Sequence, residues 1–262
     1  MNFFLIGIVS FASSCLTLFS GFGLGTILLP AFALFLPVPM AVTATAVVHA
    51  ANNLLKAVLL GRLANFRIVL IFGLPAIAAA YFGATILANL TNLPTILAYR
   101  VMGITAQITP LKLVMGLLIL GFSLFELNPK LQRLSLERKY LPFGGILSGF
   151  FGGLSGHQGA FRSVFLSKID ITPQAFVGTN AVIALLVDST RLLIYGTMLS
   201  EFNLSRLASM PEGKMILTGI AAAFLGVFVG RQFLHKVTMK TIQQVTGSLL
   251  ILIGFILTMG LI

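Results

Sequence analysis

Long apolar runs alternate along this chain with short polar breaks. Residues 2–19, 40–60, 68–87 and 111–127 form a first set of four. Each approaches the roughly 20 residues that a helix needs to cross a bilayer. Residues 140–153, 173–195, 214–233 and 241–262 form a second set. In each set the first run is followed by a glycine-broken segment and then by a shorter apolar stretch, 26–36 or 161–171, about half a crossing long. A helix interrupted in this way is tolerated at membrane depth only where protein or water covers its backbone. The pattern predicts an all-α polytopic membrane protein with eight transmembrane helices in two four-helix repeats, each with a broken or re-entrant segment. The first repeat occupies 1–128, a basic connecting loop 129–139 and the second repeat 140–262. Residues 89–110, which include Arg100 and Gln107, read as a short interfacial helix and linker. Residues 198–213 read as a polar loop.

The two sets are related in sequence. A shift of 135 places Ser155-Gly156 on Ser20-Gly21 and Ala181-Val182 on Ala46-Val47 without a gap. It also places Asp188 on Asn53, Arg191 on Lys56 and Gly196 on Gly61. Four crossings per half is an even number, which predicts parallel repeats related by an axis along the membrane normal; an odd number would invert them. On the even count, Arg62, Arg67, Lys130, Arg133, Arg138, Lys139, Arg206 and Lys214 share the side of both termini. Arg100, Lys112, Lys168, Arg231, Lys236 and Lys240 lie opposite. The positive-inside rule then places the termini in the cytoplasm of a cell whose inner (plasma) membrane holds the protein.

Composition agrees with a lipid-embedded chain. Of the 262 residues 58% are hydrophobic and 9% charged, against about 25% charged in soluble domains. The net charge of +11 does not mark a nucleic-acid partner, because the bases are scattered over loops and helix ends, where they meet lipid headgroups. The single Cys15 excludes an intrachain disulfide and a multi-cysteine metal site. Residues 3–19 lack the basic n-region and cleavage site of a signal peptide and read as the first span.

The polar residues inside the spans carry the chemistry. Thr45, His49, Asn52, Asn53 and Lys56 recur at spacings of three and four and make one helix face. Polar groups there are expensive in lipid, so the face is expected to turn inward. Thr179, Asn180, Asp188 and Arg191 make a shorter version on the sixth span, where Asp188 and Arg191 are spaced to pair. That pairing would neutralise Arg191 and leave the charge of Lys56 for an anion. At the breaks, Gly21, Gly23 and Gly25 in one copy face Ser155, Gly156, His157 and Gln158 in the other. Glycine lets the chain leave helical geometry without steric cost. The restarting helix then presents unpaired N–H groups and a positive dipole end, an anion-binding arrangement. Arg162, one turn beyond Gln158, adds a guanidinium suited to an oxyanion. The expected partners are a small anionic substrate, a coupling proton or other ion, and membrane lipid, with no cofactor and no nucleic acid. Nothing in the residues sets an oligomeric state. Competing readings are an intramembrane hydrolase using Ser155 or Ser189 with His157 and Asp188, and an anion channel. Glu126, Glu201 and Glu212 fall at helix ends or in loops and receive no site role.

The glycine break of residues 20–25 runs on to Pro30. With Pro39-Met40-Ala41-Val42-Thr43-Ala44-Thr45 and Gly61-Arg62, it resembles the sulfite exporter TauE/SafE family of membrane permeases. Gly149-Phe150-Phe151-Gly152-Gly153-Leu154-Ser155-Gly156 is similar to that family's second signature. The resemblance implies a duplicated transporter of sulfite, sulfonates or small carboxylates. It departs from the family at Gly23-Leu24-Gly25, where three adjacent glycines are usual, and at His157-Gln158-Gly159.

Overall fold

Backbone N–H and C=O groups in hydrocarbon must be paired within their own segment, so an apolar chain of this kind folds into helices. The computed structural model describes residues 2–20, 23–101, 103–132, 136–166, 169–198, 210–233 and 239–262. The helices are α1 (Asn2–Ser20), α2 (Leu24–Ala33), α3 (Val38–Leu60), α4 (Phe66–Thr91), α5 (Pro110–Leu127) and a single turn, α6 (Pro129–Gln132). Then follow α7 (Leu141–Ser155), α8 (Gln158–Leu166), α9 (Pro173–Met198), α10 (Pro211–Phe233) and α11 (Met239–Thr258). Every expected span is a helix. Proline stands in the first turn of α3, α5 and α7, where its missing N–H costs nothing. Asn65 and Thr109 cap α4 and α5 by accepting from Ile68 N and Lys112 N. Pro30 lies inside α2 and does not bound it.

The expected interfacial helix at 89–110 is instead a β-hairpin, Leu97–Val101 paired antiparallel with Ile104–Ile108, with Gly103 at φ 82° in the turn. Ile96, Tyr99, Val101, Ile104, Thr105 and Ile108 are β-branched or aromatic, and such residues favour strands. The hairpin is tied to the C-terminus by Gln107 N donating to Gly260 O (3.0 Å) and Tyr99 OH to Met259 O (2.7 Å).

Side-chain register gives the direction of each helix. In α8, Gln158 lies against Gly152 and Phe165 against Gly144, while Leu136 N donates to Val164 O at the mouth of the pair. So α8 folds back along α7, and this pair begins and ends at one end of the bundle. Likewise Leu5 and Val9 of α1 share an apolar groove with Pro30 and Leu34 at the far end of α2. Helix α3 runs antiparallel to α9: Gly178 packs on Leu60, whereas His49 meets Asp188. Helix α5 runs antiparallel to α11, with Gly116 beside Thr258 and Gly247 beside Leu127. Helix α7 runs parallel to α4, and α1 parallel to α10.

These directions correct the expected parallel relation. Equivalent helices of the two sets, α3 with α9 and α5 with α11, point in opposite directions. The reason is that α1 with α2, and α7 with α8, carry the chain in and back out. Each half therefore makes three net crossings, an odd number. Asn2 and Ile262 lie at the end of the bundle that holds the hairpin, and Lys130 and residues 136–140 lie at the other.

The halves are held together by small residues. Gly145, Gly149 and Gly153 of α7 lie on the backbone of α4 at Phe72, Ala76 and Ala80, where a Cβ would strike carbonyl oxygens. Such small residues at four-residue spacing let membrane helices approach closely. Leu54, Val58, Leu70, Leu74, Leu193, Leu217, Leu225 and Phe228 point outward. Among the described residues five helices are long and apolar enough to cross a membrane, as befits an integral, polytopic membrane protein.

Two outcomes follow. In a Cys15→Ala background, Glu137→Cys and Leu261→Cys should react with impermeant maleimide from opposite sides of the membrane. Reaction from one side would restore the parallel arrangement. Gly149→Leu should lower the melting temperature by overpacking the α4 contact, a cost of about 1–3 kcal/mol.

Candidate functional site

The centre of the bundle is organised by one carboxylate, Asp188, which has no exposed surface. Its Oδ1 accepts from Gln158 Nε2 (2.9 Å) and from Arg191 Nε (3.0 Å) and Nη2 (2.7 Å). Its Oδ2 accepts from Asn53 Nδ2 (3.1 Å) and lies 2.6 Å from His49 Nδ1. A carboxylate only accepts here, so Nδ1 carries the imidazole proton and donates it. Five donors from α3, α8 and α9 thus meet on two oxygens.

The stripes anticipated on α3 and α9 deliver these groups. Thr45, His49, Asn52, Asn53 and Lys56 are all buried, as are Thr179, Asn180, Asp188 and Arg191. Burial of both stripes turns the two helices toward each other. On α8, Arg162 reaches back one turn, donating from Nη1 to Gln158 Oε1 (3.0 Å), and donates from Nε to Asn180 Oδ1 (2.6 Å). Because arginine only donates, Oδ1 must face it, and Asn180 Nδ2 is left buried without a hydrogen-bond partner.

Cations hold the re-entrant arms. Lys56 Nζ donates to Thr17 Oγ1 on α1 (3.0 Å), and Arg191 Nη1 approaches Gly152 O on α7 (3.4 Å). Lys56 is 5% exposed and does not reach out to the surface. The two breaks meet, since a Cβ on Gly25 would lie 2.7 Å from Gly156 O. Gly23 and Gly156 adopt φ of 117° and 83°, a left-handed geometry that favours glycine.

A small cavity of about 20 Å³ opens beside this network, bounded by Thr17, Leu24, His49, Asn52, Asn53, Lys56, Arg162, Val177, Asn180 and Ala181. That space is close to what one water molecule needs. The start of α2, at Leu24, forms part of the wall. Among the described residues no group of three or more His, Cys, Asp or Glu side chains could hold a metal ion.

Of the residues singled out from the sequence, His49, Asn53, Gln158, Arg162, Asn180, Asp188 and Arg191 form one connected network. Asn52 and Lys56 join them at the cavity. Gly23 and Gly25 form the first turn-back, while Gly21 lies outside the described residues. Ser155 and His157 stand apart. His157 stacks on Phe122 at 4.4 Å between ring centroids, and its Nδ1 lies 3.0 Å from Ser155 Oγ. The carboxylate a hydrolase would need, Asp188, is committed to other partners. Glu126 is 3% exposed on α5, inside the bundle and not at a surface end. Thr17 and Ser14 escaped the sequence reading, although Ser10, Ser13, Ser14 and Thr17 recur at spacings of three and four on α1. Ser14 Oγ lies 2.8 Å from Asn52 Oδ1 and 2.7 Å from Ala223 O. Tyr195, which donates to Gly153 O, also went unnoticed.

Residues 5–257 match the family model described as sulfite exporter TauE/SafE. No curated protein and no solved structure matches the chain.

Breaking one partner of a buried ion pair strands the other, at about 3–5 kcal/mol. Asp188→Ala should therefore destabilise the detergent-solubilised protein severely, and Asp188→Ala with Arg191→Ala together should cost less than Asp188→Ala alone. A double variant less stable than Asp188→Ala would show that the pair does not act as a unit.

Proposed function

The chain belongs to the sulfite exporter TauE/SafE family, a family of membrane transporters, and we propose that it is a secondary carrier of a small organic or inorganic oxyanion. Sulfite, a sulfonate or a small carboxylate fits the chemistry of the cavity. The observation that carries this reading is the convergence of Lys56 Nζ, the Arg162 guanidinium and the orphaned Asn180 amide on one enclosed space. All three present N–H donors, two of them are cations, and the start of α2 adds the positive end of its dipole. A buried, unpartnered donor is rare in proteins. Here an anion bound in the cavity would supply the missing acceptor.

We read the architecture as two inverted copies, residues 1–128 and 140–262, joined by 129–139. Each contributes a re-entrant helix pair and three crossings, so eight of the eleven helices are the long ones expected. Inverted repeats with broken helices at the midplane are a recurrent basis for alternating access, and the tight cavity fits a closed stage of such a cycle. The chain has no G-x-x-x-x-G-K-[ST] motif, so an ion or substrate gradient would drive movement, with His49 as the candidate proton carrier. The observed directions also regroup the bases. Among the described residues Arg62, Arg67, Lys130, Arg138, Lys139, Arg231 and Lys240 belong to the linker end, against Arg100, Lys112 and Lys214 at the terminal end. The positive-inside rule then makes the linker end cytoplasmic and places the termini outside, reversing the orientation read from the even count.

Sulfite, thiosulfate, small sulfonates and small carboxylates should be screened by thermal shift. At 100 times Kd a ligand stabilises the folded protein by about 2.7 kcal/mol, so at least one should raise the melting temperature of wild type and fail on Arg162→Ala. No shift with any of them, or equal shifts in both proteins, would contradict the reading. In proteoliposomes His49→Gln should abolish the pH dependence of flux; an unchanged dependence would remove His49 from proton coupling.

A further inference from the structure

The network has a two-fold logic at its cations, which does not extend to His49, Gln158 and Arg162, whose counterparts under the repeat shift are Ala184, Gly23 and Ile27. The 135-residue shift carries Thr17 onto Gly152 and Lys56 onto Arg191. The structure makes the same contact twice, Lys56 Nζ to Thr17 Oγ1 in one half and Arg191 Nη1 to Gly152 O in the other. In both halves the cation of the central helix holds the outer arm of its own re-entrant pair. The shift also carries Asn53 onto Asp188, and these two residues touch each other, Asn53 Nδ2 donating to Asp188 Oδ2. They therefore lie on the local two-fold axis, where each half contributes one equivalent side chain.

The surroundings of the two equivalent cations are charged differently. Arg191 has the carboxylate of its own half three residues away, held through Nε and Nη2. Lys56 has Asn53 three residues away, which brings no charge. Among the described residues Asp188 is the one carboxylate in the group formed with Lys56, Arg162 and Arg191; its Oδ1 is held by Arg191, and its Oδ2 by the uncharged Asn53 and by His49 of the other half. The cavity is lined by Lys56, Asn53 and Asn52 together with Arg162 and Asn180, and not by Arg191 or Asp188.

Building on the anion-carrier reading above, we propose that of the two symmetry-related cations only Lys56, with Arg162 and Asn180 beside it, is left to bind substrate. In the Arg191 half the Asp188 carboxylate stands where an anion would stand, as a built-in counter-anion. Only the Lys56 half takes substrate, one anion per chain. The choice between asparagine and aspartate at positions 53 and 188 is thus the specificity-determining difference between the repeats. A carboxylate tethered to its own helix has a high effective concentration, so free anion does not displace it.

The test exchanges the two side chains, Asn53→Asp with Asp188→Asn, in the full-length protein. Binding is measured by isothermal titration in detergent with sulfite as the probe. Wild type should bind one sulfite per chain, and Lys56→Met should weaken this at least tenfold, which is about 1.4 kcal/mol. The exchanged protein should also bind one sulfite, now through Arg191, so that adding Lys56→Met changes its affinity by less than about threefold, about 0.65 kcal/mol by the same conversion. If Lys56→Met costs the same tenfold in both backgrounds, or if the exchanged protein is folded and binds no sulfite, the proposal fails. Should the exchange not fold, Asn53→Asp alone, which keeps Asp188, is the second variant. It should lose sulfite binding, because Lys56 then has a carboxylate on its own helix, and undiminished binding overturns the proposal. Wild type binding neither sulfite nor any other anion screened would instead overturn the carrier reading itself.

Discussion

A carboxylate buried in a lipid-embedded bundle is stable only if its charge is matched and its lone pairs are filled. Asp188 meets that requirement through His49 and Asn53 on α3, Gln158 on α8 and Arg191 on its own helix α9. Because the donors come from both halves, satisfying one ion fixes how the halves sit. The antiparallel crossing of α3 and α9 places their polar faces in register, and the position of α8 follows from Gln158. Arg162 is then carried to the cavity by the same short helix. Removal of Asp188 would leave a guanidinium and an imidazole with no reason to share this space.

Around this polar centre the packing is made by small residues and by chain reversal. The glycines of α7 bring it onto the backbone of α4, so the re-entrant pair of one half leans on a crossing helix of the other. The reversed conformations at Gly23 and Gly156 let two helix pairs end in the interior, where their tips touch. A continuous helix there would present only satisfied backbone. A turned-back one presents helix ends, which water or an anion can complete. The turn-backs thus also bring a helix start, at Leu24, to the wall of the cavity.

Much of this was legible in the residues. The apolar runs placed every long helix, and the three-and-four spacing of His49, Asn53 and Lys56 announced a buried polar face. The 135-residue shift already paired Asn53 with Asp188. What the sequence reading missed depended on direction in space. Residues 2–19 have the length of a span, and nothing in their composition says that 24–33 will return the chain to its starting side. That single return turns an even count into an odd one, and it regroups the bases between the two faces. The hairpin at 97–108 was hidden because Arg100 and Gln107 suggested an amphipathic segment, although β-branched residues dominate there. Thr17 and Ser14 were overlooked because serine and threonine are common in membrane helices, where their hydroxyls bond their own backbone, as Ser13 does with Val9 O. Their partners, Lys56 and Asn52, lie more than thirty residues away and become visible only once α1 and α3 are packed.

The central claim is that the space between Lys56, Arg162 and Asn180 receives an oxyanion. Selenite has the shape and charge of sulfite and a heavy atom that scatters anomalously. Crystals of the protein grown with selenite should show an anomalous selenium peak within hydrogen-bonding reach of Lys56 Nζ and Asn180 Nδ2. A peak at either end of the bundle, with the central cavity holding only water, would contradict it.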